Sequence, residues 1–154
     1  PRGGEDALVL SDGTKVHLNS MSSLRFPVAF TTGKREVELQ GEAYFEVSKT
    51  GQPFIVNANG MQVEVLGTTF NISAYPDEEY QTTLVNGSVK VSAEKGESLI
   101  LKPSQQATIA LGSNSIQVRT VDTSFYTSWV KGKINFKDQR LEDIMKTLSR
   151  SLRK

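Results

Sequence analysis

REVELQGEAYFEV, residues 35–47, decides the fold. Val37 and Leu39 alternate with charged or polar neighbours. Beyond Gly41, the residues Ala43, Phe45 and Val47 alternate with Glu42, Tyr44 and Glu46. A period of two marks a half-buried strand, with one face toward a core and the other toward water. The carboxylates Glu42 and Glu46 raise the question of a catalytic pair. Along a strand, four residues separate them by roughly 13 Å. Glycosidase carboxyls lie about 5 Å apart in retaining enzymes and roughly 6.5–9.5 Å apart in inverting ones. The stretch therefore reads as scaffold, with an apolar core face and a polar outer face.

The same period recurs on both sides of it. KVHLN (15–19), MQVEVLG (61–67), TTFNISAY (68–75), SVKVS (88–92), SLILK (98–102), QATIAL (106–111) and SIQVRTV (115–121) all alternate. Asp12-Gly13, Asn86-Gly87, Lys95-Gly96 and Gly112-Ser113-Asn114 supply tight turns, because Gly and Asn accept positive φ at little cost. Pro27, Pro53, Pro76 and Pro103 stand at segment starts, where a missing N–H does least harm. Many short strands at such spacing predict a mainly β body: a jelly-roll-like sandwich or a β-solenoid.

After Val121 the pattern changes. VDTSFYTSWVKGK holds the single Trp and no alternation, and reads as a linker or short helical turn. Ile134 to Phe136 reads as one strand. From Asp138 the period becomes 3.6, with Leu141, Ile144, Met145, Leu148 and Leu152 on one helical stripe. The expected organisation is a β domain over 1–121, a linker over 122–132, and the truncated strand–helix start of an α/β domain over 133–154.

Composition sets the outer limits. The chain has 154 residues, 37% of them hydrophobic, enough for one full domain. Net charge is +1, so no global field draws nucleic acid or an anionic membrane. Without cysteine, and with His17 as the only histidine, disulfides, thiol catalysis and structural zinc are removed or nearly so. No apolar run approaches the roughly 20 residues that span a bilayer. Both ends read as cut, which places membrane and targeting segments outside this stretch.

No catalytic constellation emerges. His17 falls on the polar face of its strand, with no marked nucleophile to serve. Asp77-Glu78-Glu79 lacks calcium-loop spacing and reads as a charged hairpin tip. Gly67-Thr68-Thr69 has no lysine and no following helix, so it is no phosphate loop. The expectation is no enzyme, no cofactor and no metal. Two surfaces are left: exposed strand edges and the C-terminal amphipathic segment.

Several stretches together resemble the FecR family: LSDGTKVHLNSMSSLRFP (10–27), REVELQGEAYFEV (35–47), PFIVNANGMQVEVLGTTFNISAY (53–75), TLVNGSVKV (83–91) and LKPSQQA (101–107). These are the periplasmic sensor regions of transmembrane anti-sigma factors. The tail, WVKGKINFKDQRLEDIMKTLSR, is similar to the first strand and helix of an STN-like (secretin and TonB short N-terminal) domain. Two departures stand out: Ser104 replaces a usual Gly, which predicts a tighter or shifted turn, and the tail ends SRSLRK where the family continues.

The resemblance implies signal relay from the periplasm. The partner would be the signalling domain of a substrate-loaded TonB-dependent outer-membrane transporter, importing iron carriers, haem or glycans. A sigma factor would be controlled through an absent cytoplasmic region, and the membrane engaged only through an absent transmembrane helix. The candidate partner-binding residues are Ile134, Phe136, Leu141, Ile144 and Leu148. The plainer use of that stripe is packing within the completed second domain. The reading from another class is a β-sandwich carbohydrate-binding module, with Tyr44, Tyr75, Tyr80, Tyr126 and Trp129 as candidate platforms.

Overall fold

The structure is a computed structural model and describes residues 7–134. Its strands are β1 (Ala7–Val9), β2 (Lys15–Leu18), β3 (Ser23–Arg25), β4 (Arg35–Glu46), β5 (Phe54–Ala58), β6 (Met61–Val65), β7 (Thr69–Ala74), β8 (Tyr80–Asn86), β9 (Val89–Ser92), β10 (Ser98–Leu101), β11 (Gln105–Ile109) and β12 (Gln117–Thr120). One helix follows, α1 (Thr123–Ile134). The mainly β class expected from the sequence is what the structure has.

The long strand β4 organises the rest. Its first half pairs with β3 and, in parallel, with β5; its second half pairs antiparallel with β2 and β7. The single sheet is thereby curled into two arms. Arm A runs β1-β2-β4-β7-β8-β11-β12, and arm B runs from β4 through β5, β6 and β9 to β10. After β4 the hairpins alternate: β5-β6 in arm B, β7-β8 in arm A, β9-β10 in arm B, β11-β12 in arm A. Among the described residues the only parallel ladder is β4–β5, so the body is no parallel β-helix.

The passage from arm B to arm A occurs at Gly41, where φ is +94°. A Cβ there would stand 2.2 Å from Ser22 Oγ and 2.8 Å from Ser22 Cα. Only glycine meets both conditions. The hydroxyl that occupies this space accepts the Glu42 N–H at 2.8 Å.

Between the arms lies one apolar core. Val37, Leu39, Ala43 and Phe45 of β4 join Phe54, Val63, Phe70, Ile72, Leu84 and Val91. Phe45 stacks on Phe70 at 5.0 Å and meets Phe54 edge-on at 6.1 Å, geometries that aromatic quadrupoles favour. At the rim of the core Arg35 is fully buried, its guanidinium carbon 5.4 Å from the Phe54 ring centre. All its N–H donors are used, on Asp12 Oδ2 at 2.7 Å and on the carbonyls of Ser48, Gln52 and Leu66. A buried charge persists on such terms. Burial alone would push the Asp12 carboxyl up. The Thr14 N–H and hydroxyl and the Arg35 guanidinium outweigh it and hold the carboxyl below its usual range.

The LKPSQQA turn keeps its shape without glycine. Ser104 takes φ 72°, and Gln105 N donates to Lys102 O at 3.0 Å. Pro103 before a left-handed residue is the type II arrangement. The serine therefore adopts the glycine conformation, where the sequence predicted a tighter or shifted turn.

Candidate functional site

On the outer side of arm A, six side chains stand in one transverse row. His17, Tyr44, Asn71, Thr83, Gln106 and Arg119 occupy facing register positions on β2, β4, β7, β8, β11 and β12. Strand pairing at about 4.8 Å brings such positions into contact. Their strand neighbours Val16, Phe45, Phe70, Leu84 and Ala107 point the other way into the core. The outer row is thus polar by alternation, as the sequence pattern required.

The middle of the row is not solvated, however, although Arg119 at its end is exposed. Asn71, Thr83 and Gln106 are buried, and Glu42 beside them is 6% exposed. The cover is α1. Residues 122–132, read from the sequence as a linker or short helical turn, lead into and form most of this twelve-residue helix. Asp122 initiates it as a cap: its Oδ1 accepts the Ser124 N–H at 3.1 Å and the Ser124 hydroxyl at 2.7 Å. Tyr126, Trp129 and Val130 share one helical face by their i, i+3, i+4 spacing. That face meets the sheet: Val130 is buried, Trp129 bonds to β7 and Tyr126 to β12.

Two hydrogen-bonded chains join helix to sheet. In the first, the Trp129 indole Nε1–H donates to Asn71 Oδ1 at 3.1 Å. Asn71 Nδ2 then donates to Glu42 Oε2 at 2.9 Å, and Asn19 Nδ2 to Glu42 Oε1 at 3.0 Å. In the second, Arg119 Nη2 donates to the Tyr126 hydroxyl at 2.7 Å, and Arg119 Nε to Gln106 Oε1 at 3.1 Å. Gln106 Nε2 donates in turn to Thr83 Oγ1 at 2.9 Å. Among the described residues no buried side-chain nitrogen or oxygen lacks a partner.

Around Glu42 the segment 19–22 is tied down. The Tyr75 hydroxyl donates to Ser20 O at 2.9 Å, and the Ser22 hydroxyl lies 3.4 Å from it. Burial pushes the Tyr75 phenol up to about 12; Glu42 and Glu78 add to this, and the Ser22 hydrogen bond opposes it. Tyr44, in the same row and 6.1 Å from the His17 ring, is also pushed up, by burial and then by Glu46. Between Ser20 and Ser22 the Met21 side chain projects, 88% exposed at φ 61°.

These groups satisfy one another and hold a helix; they do not set a nucleophile against a base. The Glu42–Glu46 question has the same answer. Both carboxylates belong to one strand, Glu42 bound by two amides and Glu46 half-buried two residues past Tyr44. Of the five candidate partner-binding residues, Ile134 is the last of helix α1, where the sequence predicts the opening of a strand, and Phe136, Leu141, Ile144 and Leu148 lie outside the described residues. Of the five candidate sugar platforms, Tyr44 lies in the row beside Asn71. Tyr80 packs against the core, Tyr75 and Trp129 are hydrogen-bonded to Ser20 and Asn71, and Tyr126 to Arg119. Asn19, Asn71, Gln106 and Arg119 had no sequence signal beyond falling at outward positions, and Thr83 had none, since its strand did not alternate.

Comparison with known proteins adds an independent line. The family model described as FecR protein matches residues 1–90. Two crystal structures of a candidate anti-sigma factor from Parabacteroides distasonis are similar to this chain, at 34% and 35% identity and a TM-score of 0.80 each. In both, the match covers 85% of this chain and 62% of that one, so this chain spans under two thirds of its relative's length. No curated protein matches the chain.

Proposed function

This chain belongs to the FecR family, and on that premise we propose that it is the sensor body of an anti-sigma factor. The body works in the periplasm, as part of a single-pass inner-membrane protein. It reports the state of a substrate-loaded TonB-dependent transporter, by protein–protein contact, to a cytoplasmic sigma factor. The likeness to the Parabacteroides protein over most of this chain carries the reading. A β body whose polar row holds a helix by two hydrogen-bonded chains accords with relay by contact.

Under this reading Ile134, Phe136, Leu141, Ile144 and Leu148 belong to a module that engages the transporter. Charged residues at Ile144 and Leu148 in the full-length protein then abolish binding and leave the body folded. Unfolding alone would mean that the stripe packs at home.

The direct test is calorimetric titration of the full periplasmic region with the N-terminal domain of the transporter encoded beside it. Binding with a Kd on the order of 1 μM or tighter is expected. A folded region that shows no heat and no pull-down sinks direct relay through that transporter.

A further inference from the structure

We infer that α1 is a releasable strap, which lifts from the outer face of arm A as a unit while the two-armed sheet stays folded. The inference goes beyond the sensor assignment and rests on the geometry of the row alone.

A helix that packs on a sheet ordinarily buries an apolar stripe, and lifting it exposes that stripe to water. Here the groups beneath it are Asn71, Thr83 and Gln106, with Glu42 behind Asn71. When α1 leaves, these groups regain water, so the usual penalty for opening is largely missing. On the helix side, Val130 is the one fully buried apolar side chain among those described, and Trp129 is half-buried. Phe125, the other large apolar residue of its first turns, is 63% exposed and faces away.

Closure is nevertheless specific. The Trp129 N–H on Asn71 and the Tyr126 hydroxyl on Arg119 fix α1 at two points along the row. Each bond needs one donor at one register position, so the strap closes in one place. The first point also reaches the segment 19–22, because Asn71 and Asn19 share the two oxygens of Glu42. Lifting α1 removes Trp129 from Asn71 and leaves Glu42 held by amides that water can now reach. The sheet keeps its own ladders, none of which involves α1. Segments held by few apolar contacts open below the global unfolding free energy.

The test is native-state hydrogen exchange by mass spectrometry on the 154-residue chain with no partner present, so that failure to bind a transporter does not bear on it. Peptides of α1 are expected to exchange about 100-fold faster than those of β7 and β8 and with little denaturant dependence. Two conservative variants, Tyr126→Phe and Trp129→Phe, remove the bonds to Arg119 and Asn71 respectively without adding bulk. Each is expected to speed α1 exchange by about fivefold and leave β7 and β8 unchanged. Exchange of α1 at the rate and denaturant slope of β7, in wild type and both variants, would overturn the inference and make the helix a fixed part of the body.

Discussion

The two halves of β4 obey the same alternation and meet different fates. In Arg35–Gln40, every second residue is exposed: Glu36, Glu38 and Gln40 stand on the open face of arm B. There Glu36 accepts from Asn57 at 2.8 Å, and Glu38 lies 3.7 Å from Arg25 with its side chain 63% exposed. In Gly41–Glu46, the outward residues Glu42, Tyr44 and Glu46 are buried or half-buried. Alternation therefore reports which way a side chain points, and only tertiary structure decides whether water is there. A glutamate on the first half is a solvated charge; one on the second half is a structural member.

The largest effect that would break this contrast belongs to the inward residue at the start of the strand. Arg35→Ala leaves Asp12 buried without its partner and should cost about 3–5 kcal/mol in urea unfolding. A loss under about 1 kcal/mol would mean that the carbonyl ring around Arg35 carries little. The same pair sets the acid response. The folded Asp12 carboxyl titrates below its unfolded value of 3.8, so its contribution is present above that value and fades as pH falls through the folded one. Acid unfolding followed by circular dichroism should lose this phase in Asp12→Asn.

Gly41→Ala comes next, at about 2–4 kcal/mol, from positive φ and from the clash with Ser22. Adding Ser22→Gly should recover only the part of the steric share due to Ser22 Oγ and Cβ, because the close approach to the residue-22 Cα at 2.8 Å stays. Glu42→Ala should cost about 2 kcal/mol, since Asn19 and Asn71 lose a charged acceptor in a buried place. Ser104→Gly should raise stability by about 1 kcal/mol, by relieving a left-handed serine at another crossing between the arms. Glu38→Ala, the counterpart of Glu42→Ala on the open half, should stay within about 0.5 kcal/mol. Equal costs for the two glutamates would erase the contrast between the halves.

Much of the body was legible in the sequence because half-burial writes itself as period two. β2, β4, β6, β7, β9, β10 and β12 all fall within stretches that alternate, and β11 starts one residue before its stretch. β5 and β8 did not declare themselves as strands. In FIVNA four of five residues are buried, and in YQTTLVN the run Thr82, Thr83, Leu84 is buried on both faces, core on one side and α1 on the other. A strand covered twice loses its alternation.

The helix was hidden for a related reason. Thr123, Thr127 and Gly132 are weak helix formers, and the docking face Tyr126, Trp129, Val130 carries polar atoms matched to a polar row. No apolar stripe advertises it. The site was legible only as outward polar positions; which of them would be roofed depended on register across six strands, and no local pattern encodes that.

The shared strand also governs how the chain reaches this state. Because hairpins alternate between arms after β4, β6 waits for β9 and β8 for β11, and neither arm closes on residues adjacent in sequence. Loop-closure entropy must be met before those pairings return anything, which places the body among slow, high-contact-order folders. With β4 common to both arms, neither half of the sheet is expected to persist as an intermediate of its own. Refolding should follow a single exponential on the millisecond-to-second scale.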